Sequence, residues 1–349
     1  MSDKQPYIPE VGGDKSMQAT MAAKMQLVLD QPMSDITTKL VNHDFEGEFF
    51  KVGDTVNIVK PSVDSVNVQL GSIDFTATLE DQSQETRSDD RRIKCKDVRF
   101  SRETLQIDKF SKYAFIISDI TKAEGKWDYV SGQLDIAAQT IRKAHNVEVC
   151  ELIANDASVI AQQTQEGLDL VLGTAAAPIQ LASVDELYSK VLVTMHSALY
   201  NRGAITADGQ ITYGSNPQQG KATTGAIFMP MKAYNGFLTS KYFTERSTSA
   251  ADDKVATGNI AKVLGLDVNI EPALDPRAKR HATVQGIADN DTLVIVAGTS
   301  NAVTRAGKVL PPDRFRSHER FAEEFHGLEI YGQKLLGTES VVVAYVKMP

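Results

Sequence analysis

The most constraining stretch of this 349-residue chain is a run of β-type sequence that cannot bury itself. FFKVGDTVNIVKP, from Phe49 to Pro61, alternates apolar and polar residues around Gly53-Asp54. VNVQLGSIDFTATL, from Val66 to Leu79, alternates again, and a solvated polar run from Glu80 leads into a third alternating segment, IKCKDVRF, at Ile93 to Phe100. The pattern predicts a long β-hairpin with its tip near Gln82 to Asp90. An isolated two-stranded hairpin is marginal in water, so this ribbon needs packing from elsewhere in the chain or from a second chain.

Its return strand is strongly charged. Between Arg87 and Arg102 stand seven basic residues (Arg87, Arg91, Arg92, Lys94, Lys96, Arg99, Arg102) against three acidic ones, in a protein of net charge −8. Two readings stay open. The charges dock on an acidic patch of another subunit, or they form a solvated strand face that prevents edge-to-edge aggregation. The overall negative charge disfavours a dedicated grip on nucleic acid. No run of about 18 apolar residues exists to cross a bilayer. Two cysteines, Cys95 and Cys150, are too few for a disulfide framework.

Around the ribbon the chain divides into recognisable parts. Residues 1–15 read as an arm, with Pro6, Pro9, Gly12 and Gly13 opposing regular structure. Met17, Met21, Met25 and Leu29 repeat every four residues and predict a short helix from Ser16 to about Asp30. Its methionine face suits either the chain's own core or a neighbour. Trp127 to about Gln163 carries apolar residues at spacings of three and four without a proline, which predicts one long helix lying across a sheet. Helix and strand segments then alternate. A helix over 183–201 opens with Ser183 as N-cap and Glu186 completing a capping box. Strands are expected at 226–231, 266–272 and 293–297, a helix at 315–325, and two β segments within 327–346. The class is α+β.

No catalytic constellation is convincing. The nearest is LVIVAGTSNAV, Leu293 to Val303, where Ser300 imitates a nucleophile elbow and Asp313 with His318 or His326 follows in hydrolase order. That chemistry needs several upstream βαβ units, and hairpins stand there instead. A Ser/Thr-capped helix start is the simpler reading. Residues 214–221 miss the phosphate-loop spacing by one residue. The six histidines are scattered, and His145 reads as a partly buried helix residue. We therefore expect no catalytic, cofactor-binding or metal site, and no cofactor.

Four segments, in this order, resemble the major capsid proteins of tailed bacteriophages. They are FKVGDTVNIVKP (Phe50 to Pro61), LQIDKFSKYAFIISDI (Leu105 to Ile120), NIAKVLGLDVNIEPALD (Asn259 to Asp275) and RFAEEFHGLEIYGQKLLGTESVVVAYV (Arg320 to Val346). The resemblance implies the HK97-like capsid fold. It implies an N-terminal arm (1–35), a P-domain lead-in (36–59), an extended β-hairpin E-loop (60–108), a P-domain with the long spine helix (109–179), an A-domain (180–320) and C-terminal P-domain strands (321–349). It further implies self-assembly into hexamers and pentamers of an icosahedral head enclosing double-stranded DNA. Arg87, Arg91, Arg92 and Lys94 would be the E-loop's inter-subunit contacts. The implied partners are the chain itself, portal and scaffold proteins, a decoration protein and non-specifically packaged DNA, with no membrane. The expected location is the virion, assembled in the host bacterial cytoplasm. The long N-terminal scaffolding segment of some relatives is missing, which implies a separate scaffold. An encapsulin-like compartment shell is the alternative within the fold, and a Ser300 hydrolase the remote one outside it.

Overall fold

A computed structural model describes residues 20–25, 35–44, 53–61, 100–120, 129–212, 224–241, 262–287, 291–317 and 320–349. Two sheets and a two-stranded ribbon carry the architecture. In chain order the strands are β1 (Val41–Asn42), β2 (Thr55–Pro61), β3 (Phe100–Gln106), β4 (Lys109–Ser118), β5 (Ile179–Gln180), β6 (Ala226–Met229), β7 (Lys262–Val263), β8 (Leu266–Ile270), β9 (Thr292–Gly298), β10 (Val303–Val309), β11 (Asp313–Arg316), β12 (Ala322–Leu335) and β13 (Val341–Lys347).

The six-stranded sheet runs β5-β13-β9-β6-β8-β7. Its continuous apolar runs, VVVAYV and LVIVAG, follow from being covered on both faces. The period of two sorts their side chains cleanly. Leu293, Ile295, Ala297, Val342, Ala344 and Val346 enter one core, with helical residues 187–201 and the helix Met231–Leu238. Val294, Val296, Val341, Val343 and Tyr345 enter a second, against Val149, Cys150 and Ile153. Each buried Val, Leu or Ile among them contributes roughly 1.5–3 kcal/mol on burial.

The five-stranded sheet is built on β12. Its residues 322–331 pair antiparallel with β4. The opposite edge takes β11 at 323–326 and β10 at 329–335, and β1 lies beside β10. The spine helix, Tyr129–Asn155, joins both sheets. Leu134, Ala138 and Ile141 pack with Tyr113 and Val309 and with Ala22 and Met25 of the helical segment 20–25. Its last turns pack on the six-stranded sheet. Twenty-seven residues span about 40 Å, enough to bridge the two.

The ribbon's base is the antiparallel pair β2–β3, in register from Thr55–Gln106 to Pro61–Phe100. Val56, Ile58, Leu105 and Ile107 rest on Ala306 and Ile330 of the five-stranded sheet. Gly332 permits the crossing, because a Cβ there would meet the backbone of Gln106 and Ile107. The rest of the hairpin, including Arg87, Arg91, Arg92 and Lys94, lies outside the described residues.

Four local expectations need correction. The helix expected over 127–163 breaks at Asp156, whose carboxylate accepts the Ser158 N–H at 2.8 Å and starts a new helix, Ala157–Gln165. The helix expected over 315–325 is not formed by its described residues: Phe315 and Arg316 end β11, and 322–325 begin β12, paired with β4 and, from 323, with β11. Residues 299–302 turn directly into β10, so no helix starts there. Glu186 does reach back, but to the Ala182 N–H at 2.9 Å, one residue earlier than the expected cap, and the first turns are π-helical.

Candidate functional site

The Ser300 constellation does not assemble. Ser300 is buried in the β9–β10 connection, pinned by Thr299 N–H to the Ser340 carbonyl at 3.0 Å and Ala302 N–H to the Thr299 carbonyl at 3.1 Å. A nucleophile elbow needs an exposed serine between a strand and a helix, and here a strand follows. Asp313 is instead the register partner of His326, whose imidazole lies 3.4 Å from the Glu324 carboxylate and edge-on to Phe315. His318 lies outside the described residues. Burial pushes the Cys150 thiol well up, so it stays protonated. Among the described residues no group of three or more His, Cys, Asp or Glu is placed to hold a metal, and no helix is long and apolar enough to cross a membrane.

What the surface does present is apolar. Along β4 the side chains alternate, with Tyr113 and Ile117 buried while Phe110, Lys112, Ala114 and Ile116 are exposed. Ile116 and Phe315 flank Glu324 in one cross-strand row. At the same end of the sheet Asp119 N–H binds the Phe321 carbonyl at 3.0 Å, and the Asp119 carboxylate takes both arms of Arg316 at 2.9 and 2.5 Å. Ile116 is 47% exposed, Phe315 52%, Ile120 68% and Phe321 83%. On the opposite face Phe115 stacks on Phe325 with centroids 5.0 Å apart, and Arg314 pairs with Glu323 at 2.5 Å. The platform is therefore internally braced while four large apolar side chains face water. Concentrated exposure of this kind marks a contact surface.

Sequence reasoning passed over a second feature, a polar cluster sealed between the spine helix and the sheet. His145 sits in the helix's apolar stripe, yet its Nε2 lies 3.2 Å from Glu329 and 3.3 Å from Arg305, with the Ser111 hydroxyl at 3.4 Å. Arg305 pairs with Glu329 and lies over the Tyr331 ring. Tyr331 donates to Glu148 at 2.7 Å, and Gln333 donates to the same oxygen at 3.2 Å. Burial, and then Arg305, hold the His145 imidazole below its ordinary value. Glu329 is kept below the usual carboxylate range against the pull of its burial, by Arg305 and His145. Burial first, then Glu148, raises the Tyr331 phenol. The only sequence signal was a histidine placed where the stripe calls for an apolar residue.

No protein-family model matches the chain, and no curated protein matches it. Solved structures do. A chain of Mycobacterium phage Che8 aligns with a TM-score of 0.51 at 13% identity, covering 87% of this chain and 88% of that one. The mature capsid of bacteriophage PhiM1 aligns at 0.48 and 10% identity, covering 88% and 85%. The capsid of cyanophage P-SCSP1u aligns at 0.49 and 10%, covering 89% and 86%. At these identities the likeness is one of fold, and the fold is α+β and HK97-like, as expected.

Proposed function

We propose that this chain is the major capsid protein of a tailed phage, a structural subunit that assembles into hexamers and pentamers of an icosahedral head around double-stranded DNA. The observation that carries the reading is the fold shared with the Che8 phage chain over most of both chains. The braced sheet end exposing Ile116, Phe315, Ile120 and Phe321 supports it, because such a surface is suited to burial by copies of the same chain. Part of the same reading is the division into N-arm, E-loop, P-domain and A-domain, with Arg87, Arg91, Arg92 and Lys94 as inter-subunit charges. Portal, scaffold and decoration proteins as partners, and assembly in the host cytoplasm, belong to it as well. Contacts of a few kcal/mol suffice when each subunit makes several and the shell closes.

Expression of the chain with its neighbouring genes, followed by electron microscopy and sedimentation, tests the proposal. Closed particles are expected. Replacing Arg91 and Arg92 by Glu is expected to abolish particles and leave the subunit's thermal midpoint unchanged. A chain that stays monomeric in every combination sinks the shell reading, and particles that protect cargo protein but never DNA replace the phage head by a compartment.

A further inference from the structure

We infer that His145 is a proton-operated joint between the spine helix and the five-stranded sheet: neutral, its imidazole holds helix to sheet between Arg305 and Glu329, and protonated it releases them. This concerns one subunit's fold and stands whether or not the chain builds a shell.

The geometry sets up a competition at one atom. His145, Arg305 and Glu329 are 2%, 5% and 3% exposed, so no bulk water relieves them. His145 Nε2 is faced at 3.3 Å by a donor, Arg305 Nη2, and at 3.2 Å by an acceptor, Glu329 Oε2. One ring nitrogen serves only one of them. With its lone pair on Nε2, neutral His145 accepts from Arg305, which also binds the other oxygen of Glu329. The cation and the carboxylate then balance. Beside His145, no described group hydrogen-bonds Glu329 Oε2. Protonation turns Nε2 into a donor toward that oxygen, but it sets an imidazolium against the guanidinium in a dry site.

Among the other facing groups Glu148 favours the protonated form, but its effect on the imidazole is the smallest. On the spine helix Glu148 is already engaged by Tyr331 and Gln333, and Arg142 is committed to Asp35 at 2.6 Å. β4 offers only the Ser111 hydroxyl, and β12 adds the Tyr331 ring at 4.8 Å. A surplus buried charge destabilises whatever encloses it. Because the folded imidazole titrates below the unfolded value of 6.5, the joint's contribution is complete above that pH. It is lost as pH falls from there through the folded value. His145 lies midway along the helix, between the part packed on one sheet and the part packed on the other.

The test uses the full-length protein from pH 8 to 4.5. Histidine C2–H exchange, read by mass spectrometry, gives the His145 titration in the unmodified chain, and amide exchange of peptides from 129–155 gives helix opening after correction for intrinsic rates. Opening is expected to rise by up to about tenfold per pH unit from 6.5 down to the pH at which His145 titrates in the folded chain, and to level off there. His145→Gln is expected to abolish that rise. Glu329→Gln, which removes the carboxylate favouring the protonated form, is expected to move the His145 titration and the levelling-off of the rise to lower pH together. If opening stays flat between pH 6.5 and the His145 titration in the unmodified chain, the inference fails, and it fails equally if His145→Gln retains the full rise. The unmodified chain alone decides should either variant fail to fold.

Discussion

Glu271 is 4% exposed and accepts the Ala273 N–H at 3.2 Å at the end of β8. Burial pushes its carboxyl up to about 7, with Asp35 nearby adding to the effect. A carboxyl raised in this way contributes stability that is full below the unfolded value of 4.5 and lost as pH rises through about 7. Glu271→Gln, which keeps an accepting oxygen, is therefore expected to match the parent at pH 4. At pH 8.5 it should exceed the parent by roughly 2–3 kcal/mol in urea unfolding. Gly332 is limited by shape instead of charge. An added methyl has only the Gln106 and Ile107 backbone to push against, so Gly332→Ala is expected to cost about 1–3 kcal/mol. Amide exchange should locate the loosening at the base of the ribbon.

The break between the spine helix and Ala157–Gln165 is set by local hydrogen bonds. Asp156 caps the second helix through Ser158, and Asn155 turns its amide outward to the Thr283 carbonyl at 2.8 Å and the Gln285 N–H at 2.7 Å. Removing the cap with Asp156→Ala is expected to cost about 1 kcal/mol in urea unfolding without fusing the helices, because the Asn155 tethers persist. Apolar spacing continues through this point, which is why the periodicity read as one helix. Residues 315–325 show the opposite failure. Glu323, Glu324 and His326 suit a solvated helix, and only the partners on β4 and β11 make extended backbone the lower-energy choice.

For the chain as a subunit, the exposed end of the five-stranded sheet separates folding from assembly. Phe321 is 83% exposed, so Phe321→Asp is expected to change unfolding by less than about 0.5 kcal/mol while suppressing particle formation in sedimentation. Equal loss of folding and assembly would show that Phe321 supports the subunit's own core. Ile116, Ile120, Phe315 and Phe321 were invisible as a surface in the sequence, because they come from two chain segments about 200 positions apart. The ribbon was legible at its base, where alternation and Gly53-Asp54 match the β2–β3 register. Arg87, Arg91, Arg92, Lys94, Lys96 and Arg99 lie outside the described part of the chain.

Local pattern determined most of the helix and strand positions, and in the six-stranded sheet it also determined which side chains are buried. In VVVAYV and LVIVAG the unbroken apolar run, rich in β-branched residues, suits a strand covered on both faces. Pairing decided the rest. Which sheet each strand joins, which apolar side chains remain in water, and that His145 meets Arg305 and Glu329 all depend on contacts between distant positions, 184 residues apart for His145 and Glu329 and 262 for Val41 and Val303. Backbone propensity and apolar periodicity act over one or two turns of chain, whereas burial and buried charge act across space, and only the folded chain brings those partners together.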